Sequence, residues 1–306
     1  MTILHKATAS PNEVAQLADM QDVIKAFVRT WLGSSEVGVG EKGVTVLGDL
    51  LDVDCEQDPP PRPPRRSHQL EARLPSWYDL VVRKEKGSGK LWKRIFEDRE
   101  VYTLLLNMLA GRHEDTNIIN PLDEAEKKEK QIQLTLAQGR VLRILPRLAA
   151  LDLAKVAKSE ITAPTPAYYA TGGAMNEAKN IDEMDDDDRE WAEEFPPLAV
   201  PAPPKPGQGL LQFAALKMVD RNDMLMHLSQ IDFFEAFVGI TRVTPPSRYK
   251  TQVAKELLRA AVADDKLMRE GMESLPNRAI EEEGPLLKTW LCELIPDSRE
   301  ALMRFG

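Results

Sequence analysis

The sequence of 306 residues predicts an all-α fold, and three observations support this prediction. Apolar residues recur at steps of three and four through most of the chain, which is the spacing of one face of a helix. No two alternating apolar runs are joined by a short hairpin turn, so the sequence does not indicate a β-sheet. The 22 prolines gather in a few stretches, which predicts loops between groups of helices.

The amino-terminal region, 12–55, is predicted to be a pair of antiparallel helices. In residues 12–32 the apolar positions that share one face are Val14, Leu17, Met20, Ile24, Phe27, Val28 and Trp31. A turn at 33–36 follows, and Val44, Leu47, Leu50 and Leu51 continue the helical spacing. Such a helix pair resembles a HEAT or armadillo repeat. One pair cannot bury its own apolar face, so stacked neighbours and an α-solenoid are predicted.

Residues 56–88 are predicted to form a proline-rich linker or insertion. The run DPPPRPPRRS at 58–67 contains consecutive prolines, which lack an amide donor and hold the chain extended. Proline-rich ligands of signalling domains have a similar composition, so recruitment of a partner by this segment is a second interpretation.

The sequence KGSGKLW at 86–92 raises the question of a phosphate-binding loop. That motif requires a glycine five residues before its second glycine and a hydroxyl residue after the lysine. Lys84 and Leu91 stand at those two positions. A Gly-Ser hinge before a helix is therefore favoured over a nucleotide hydrolase that uses Gly89 and Lys90.

Residues 89–158 are predicted to contain further helical repeats. The first apolar face comprises Leu91, Trp92, Ile95, Phe96, Val101, Leu104, Leu105 and Met108, on one long helix or two short ones. After a charged run, a second face comprises Leu134, Ala137, Val141, Leu142, Leu145, Leu148 and Leu151. Pro146 lies within this second pattern and is expected to bend or interrupt the helix.

Residues 159–207 are predicted to be a disordered acidic and proline-rich insertion. They combine eight prolines between Pro164 and Pro206 with four successive acidic residues, Asp185 to Asp188, and show little periodicity. A calcium-binding loop would place its ligands at alternate positions around a central glycine, which this run does not do. A solvated acidic loop is the favoured interpretation.

Residues 208–304 are predicted to form carboxy-terminal helical repeats. A short apolar helix is followed by a polar turn at 220–223 that can cap the next helix. The predicted inward stripe of this next helix is Leu225, Leu228, Ile231, Phe234 and Val238, and its other side carries Asp223, His227 and Gln230. Further helices are expected at about 247–262, 264–274 and 279–294.

The sequence contains no recognisable catalytic or metal-binding motif. Its 40 basic and 49 acidic residues give a net charge of −9, which disfavours binding to nucleic acid or to an anionic membrane. Cys55 and Cys292 are too few for a disulfide framework or a four-cysteine zinc site. None of the four histidines belongs to a His-Glu-x-x-His motif. We expect neither enzymatic activity nor a cofactor or metal.

The first residues lack the apolar core of a signal peptide, and no apolar run approaches the roughly 18 residues of a membrane span. We therefore expect a soluble protein, monomeric when free, that resides in the cytoplasm or in both cytoplasm and nucleus and keeps its two thiols reduced.

Five segments resemble, in the same order, blocks of a known fungal family; they are residues 34–55, 90–109, 136–152, 209–238 and 274–291. The family is named DNA mismatch repair protein of the high-spontaneous-mutagenesis type and is the fungal counterpart of proteasome non-ATPase regulatory subunit five. Family members are generally longer, so we expect this chain to lack several amino-terminal repeats, which would reduce its concave surface.

The resemblance implies a HEAT-like solenoid that acts as an assembly chaperone of the proteasome regulatory particle, where it holds the carboxy-terminal domain of one AAA ATPase subunit of the base. On this hypothesis Asp223, His227 and Gln230 would contact the partner, while the alternative is that they are merely solvated. A second hypothesis is a general adaptor that recruits partners through its proline-rich 59–64 and acidic 182–194 segments.

Overall fold

The computed structural model describes residues 2–57, 86–111, 124–161, 208–279 and 282–298. In these residues the regular secondary structure is entirely helical, without a β-strand, so the all-α prediction is confirmed for this part of the chain. Most of the predicted linker at 56–88 and of the predicted insertion at 159–207 lies outside the described residues, as does the carboxy terminus beyond 298.

The described residues form twelve α-helices, with 3₁₀ turns at Ala7–Ala9 and Pro296–Ser298. The helices are α1 (Thr2–Lys6), α2 (Pro11–Asp19), α3 (Gln21–Gly33), α4 (Val37–Val53), α5 (Lys90–Phe96), α6 (Arg99–Leu109), α7 (Glu124–Ala157), α8 (Leu210–Leu216), α9 (Met224–Val243), α10 (Arg248–Val262), α11 (Lys266–Arg278) and α12 (Gly284–Leu294). The apolar pattern at 90–109 thus corresponds to two short helices, α5 and α6.

The first helical region differs from its prediction at one position. The sequence predicts one uninterrupted helix over 12–32, whereas α2 and α3 meet at Met20. Met20 has φ of −92° and ψ of 73°, which is not helical, and its amide donates to the carbonyl of Leu17 at 3.0 Å. Ser10 begins α2 by accepting a hydrogen bond from the amide of Glu13.

Glycines in α4 let large side chains from other helices pack directly against its backbone. Gly43 lies against the indole of Trp31, and Gly40 lies against the guanidinium of Arg140; a Cβ at either position would overlap that group. Arg140 also donates to the carbonyl of Trp31 at 2.8 Å, so it satisfies an acceptor at the end of α3. These contacts hold α3, α4 and α7 together.

A buried ion pair joins α4 and α7 further along. Arg147 Nη2 lies 2.9 Å from Asp49 Oδ1 and 3.4 Å from Asp52 Oδ2, and Gly48 leaves the space that the guanidinium occupies. Removal of Arg147 would take one cation away from two carboxylates in this interface, so it is expected to destabilise the packing of α4 on α7.

The helices pack in consecutive groups around one continuous apolar core. In the amino-terminal half α2 packs on α5, α3 on α6 and α4 on α7. In the carboxy-terminal half α9 packs on α11 and α10 on α12, and α7 connects the two halves through contacts with α8 and α9. Most helices in each half therefore pack on a helix two or three places further along the chain.

The break in α7 is not at the proline that the sequence singles out. Pro146 is accommodated inside the helix, and the non-helical residue is Asp152, with φ of −150° and ψ of 89°. The Asp152 carboxylate accepts a hydrogen bond from the amide of Lys155 at 3.1 Å, as an N-cap does. Asp152 therefore ends one helical segment and begins a short second one.

The ends of two segments that are not described are tied together by backbone hydrogen bonds. The amide of Gly87 donates to the carbonyl of Cys55 at 2.9 Å, and the amide of Gly209 donates to the carbonyl of Ala157 at 3.1 Å. A Cβ at Gly209 would overlap the backbone of Val156 and Ala157, so only glycine permits this approach. In both cases the chain returns to the point from which it departed.

Candidate functional site

The glycine-rich sequence at 86–92 surrounds a carboxylate of the protein itself. Asp54 is fully buried, and its Oδ2 accepts hydrogen bonds from the amides of Leu91 at 2.7 Å and Trp92 at 3.3 Å. Its Oδ1 accepts a hydrogen bond from the hydroxyl of Ser88 at 2.8 Å. A phosphate would need the same amides at the start of this helix. Asp54 therefore occupies the position that a nucleotide phosphate would take.

Asp223 begins α9 and is engaged by its own helix. Its Oδ1 accepts hydrogen bonds from the amides of Leu225 at 3.0 Å and Met226 at 3.2 Å, which is the arrangement of an N-cap. The prediction that the turn at 220–223 caps this helix is confirmed, with Asp223 as the capping residue, and the same hydrogen bonds engage its carboxylate within the fold.

His227 and Gln230 are buried, at 8% and 1% exposure, which corrects their predicted contact with a partner. Nε2 of His227 lies 2.8 Å from Oδ2 of Asp265, the residue that caps α11. The side-chain amide of Gln230 donates to the carbonyl of Ala215 in α8 at 2.6 Å. Both polar side chains face inward because distant residues supply hydrogen-bonding partners there.

The predicted inward stripe of α9 is wrong in its first half. Ile231, Phe234 and Val238 are buried as predicted, but Leu225 is 75% exposed and Leu228 is 45% exposed. Since His227 and Gln230 take the inward positions of the first turns, the two leucines face solvent.

Leu225 and Leu228, together with Met224 at 58% exposure, form an exposed apolar surface that we call the α9 patch. All three lie in the first one and a half turns of α9, so their side chains are close together. Scattered exposed apolar residues are ordinary, whereas a group of this kind on one helix is a feature of interaction sites. The sequence held one signal of it, since 224–228 has more apolar residues than one buried stripe can accommodate.

The support under the α9 patch is extensively hydrogen-bonded. The Asp265 carboxylate is hydrogen-bonded to the ring of His227 in α9 and accepts a hydrogen bond from the amide of Met268 in α11. These two contacts join the starts of the two helices. Further along, Gly271 of α11 lies close to Ile231 of α9, and Arg278 pairs with Glu235. The patch is consequently displayed on a helix whose position is fixed by its neighbours.

A second surface feature is an open cavity of about 590 Å³ at the start of α10, lined by Pro246, Ser247, Arg248, Thr251, Gln252 and Glu293. The neighbouring Lys250 is buried and donates to the carbonyls of Thr244 and Pro245, both at 2.6 Å. Burial lowers the pKa of Lys250 to about 8. These hydrogen bonds satisfy carbonyls at the end of α9, so Lys250 has a structural role.

In the described ranges no three or more His, Cys, Asp or Glu side chains form a group that could hold a metal ion. None of the described helices combines the length and apolar character needed to cross a membrane. The described residues thus form an all-helical protein that exposes one preformed apolar surface, the α9 patch. No protein-family model matches the chain, and no significant match is found among curated proteins or solved structures.

Proposed function

We propose that this protein is a non-enzymatic chaperone for assembly of the proteasome regulatory particle, and that it binds the carboxy-terminal domain of one AAA ATPase subunit of the base. The identity of the partner comes from the resemblance of the five sequence blocks. The observation that supports protein binding is the α9 patch, because it exposes three large apolar side chains on a supported helix.

We also infer that the helices are HEAT or armadillo-like repeats of an α-solenoid. The support for this is the order of contacts, in which α2, α3 and α4 pack on α5, α6 and α7 in register. In the carboxy-terminal half successive helices also pack in parallel pairs, α9 on α11 and α10 on α12, although the offset there is two helices and not three. In solenoids each repeat contacts mainly its neighbours, and a continuous face is left for binding.

The proposal moves the partner contact from Asp223, His227 and Gln230 to the α9 patch. Full burial of a leucine or methionine side chain contributes roughly 1.5–3 kcal/mol, and about half or more of each side chain is still exposed. Covering the three side chains would thus contribute on the order of 3–5 kcal/mol to binding. This is enough to make the patch the central contact of a moderate interface.

The test is binding of the carboxy-terminal domains of the proteasome ATPase subunits, each purified separately and titrated with the full chain. We expect one of them to bind, and the double variant Leu225→Ser with Leu228→Ser to bind it roughly 10- to 100-fold more weakly. Leu286→Ser is the matched control, because Leu286 is 51% exposed on α12, and it should bind like the wild type. Absence of binding to every subunit would refute the proposal.

The adaptor hypothesis is favoured by one observation, the hydrogen bond from Gly209 to Ala157, which brings together the parts of the chain that precede and follow residues 162–207. Residues 162–207 contain ten acidic and three basic residues, a net charge of −7 that a basic partner would attract. Deletion of 162–207 distinguishes the two functions. A chaperone should retain its ATPase partner after the deletion, whereas an adaptor should lose its partners.

A further inference from the structure

A row of side chains on α9 continues the α9 patch with a negative charge. Leu225, Leu228 and Asp232 are exposed and follow at steps of three and four, so they lie in a line on one face of the helix. Asp232 has no hydrogen bond or ion pair with any residue in the described part of the chain. The row therefore presents two apolar groups and then a free carboxylate to solvent.

Further charged residues lie next to Asp265, the residue that bonds to His227 of α9. Asp264, which precedes α11, is exposed and has no hydrogen bond or ion pair within the described ranges. Two cations next to Asp265, one in contact with it and one following it in sequence, already have acidic neighbours. Arg221 Nε lies 3.5 Å from Asp265 Oδ2, and Lys266 Nζ lies 3.6 Å from Glu270 Oε1. Asp232 and Asp264 are therefore carboxylates without a partner in the described residues, whereas Arg221 and Lys266 already have acidic neighbours.

Charge also distinguishes between possible occupants of the surface. A second copy of this chain would bring a net charge of −9 and the same acidic row, so two copies would repel each other. A partner helix can carry apolar side chains and then a lysine or arginine at the same steps of three and four. Such a helix is complementary to the row on α9.

We propose that the α9 patch binds a basic amphipathic helix of a partner protein. Apolar side chains of that helix cover Leu225 and Leu228, and a lysine or arginine one turn further pairs with Asp232. The inference rests on the proposed function, because it specifies the chemistry of the partner at the same surface. The support under α9 is already ordered, so binding requires little rearrangement of this protein.

The experiment uses two helical peptides of about 18 residues with identical leucine positions, one with lysine and one with glutamate at the polar positions. Fluorescence anisotropy measures binding of each labelled peptide to the full chain at low and at physiological salt. We expect the lysine peptide to bind at least tenfold more tightly, and this preference to shrink as salt rises.

Charge variants test whether the preference comes from this surface or from the net charge of the molecule. Asp232→Lys should remove most of the preference for the lysine peptide. Glu129→Lys makes the same change of charge at an exposed position in α7 and should leave the preference nearly intact. Equal effects of these two variants would overturn the inference, since only the overall charge would then matter.

Apolar variants test the other half of the contact. Leu225→Ser with Leu228→Ser should weaken both peptides at least tenfold, whereas Val243→Ser, at the other end of α9 and 49% exposed, should have no effect. Unchanged binding by the double variant would overturn the inference. So would a dimer in sedimentation that the double variant dissociates, because a second copy would then be the occupant.

The result also separates this inference from the proposed function. If no ATPase domain binds but the peptide preference depends on Asp232, the proposed partner is wrong and the chemistry of the surface stands. If an ATPase domain binds and Asp232→Lys changes neither peptide binding nor that interaction, the proposed function stands and the present inference is overturned.

Discussion

Alanine at two glycines of α4 should have opposite effects on stability. Gly38 and Gly43 both lie in α4. Replacing a glycine inside a helix by alanine stabilises the folded state by about 0.5–1 kcal/mol, because alanine loses less backbone entropy on folding. A Cβ at Gly38 meets nothing within 4 Å. Gly38→Ala is therefore expected to stabilise the protein by up to about 1 kcal/mol, less if the start of α4 frays.

Gly43→Ala receives the same conformational benefit but has no room for the methyl group. The added Cβ would overlap the indole of Trp31, which is 2% exposed and stacks on Phe27 with ring centroids 6.2 Å apart. Overpacking of a tight core costs about 1–3 kcal/mol. After the benefit is subtracted, Gly43→Ala should destabilise the protein by roughly 0.5–2 kcal/mol, which places the two variants about 1–3 kcal/mol apart.

Urea denaturation followed by tryptophan fluorescence measures this difference, with the slope of unfolding free energy against urea checked for equality among the three proteins. Equal stabilities of the two variants, or a Gly43→Ala protein more stable than the wild type, would refute the packing of Trp31 against α4. Such a result would mean that α3 and α4 are not held in the arrangement described.

Three further predictions concern Asp54, Lys250 and residues 162–207. Asp54→Ala should lower the free energy of unfolding by about 2–4 kcal/mol, because it removes a helix cap and leaves buried donors unpaired; urea denaturation measures this, and a loss below about 0.5 kcal/mol would contradict the role of Asp54. Burial lowers the pKa of Lys250 from 10.5 to about 8, so the unfolded state binds more protons between these values and stability should rise from about pH 8 to 10.5. Lys250→Met should flatten that rise in chemical denaturation across this pH range, and an identical slope in variant and wild type would speak against it. Replacing 162–207 by a short Gly-Ser linker should change the melting temperature by no more than about 2–4 °C, as expected for less than 1 kcal/mol, since Gly209 stays bonded to Ala157; a large drop measured by differential scanning fluorimetry would show that the segment supports the helices.

Most of the helices could be predicted from the sequence, because their apolar periodicity is a local signal. The buried positions Ile231, Phe234 and Val238 follow it. The break at Met20 could not be predicted in this way, since no glycine or proline marks it. Periodicity also pointed to Pro146, whereas α7 breaks at Asp152, where a side chain satisfies the freed amide.

The candidate site was only partly predictable, because its geometry depends on partners far away in the sequence. His227 faces inward because Asp265 lies there, and Gln230 does so because the carbonyl of Ala215 needs a donor. Truncation of a fully buried leucine to alanine costs roughly 2–5 kcal/mol, and the predicted inward stripe would place Leu228 in that class. With Leu228 45% exposed, about 1 kcal/mol or less is now expected.

The hydrogen bonds from Gly87 to Cys55 and from Gly209 to Ala157 have a consequence for how this protein can change over time. Each hydrogen bond fixes the two points between which the chain must run, so residues can be gained or lost between those points without moving the helices on either side. Relatives of this protein should therefore differ most in the lengths of these two excursions, and a fluorescent protein or an affinity tag placed in either one should leave the helical body intact.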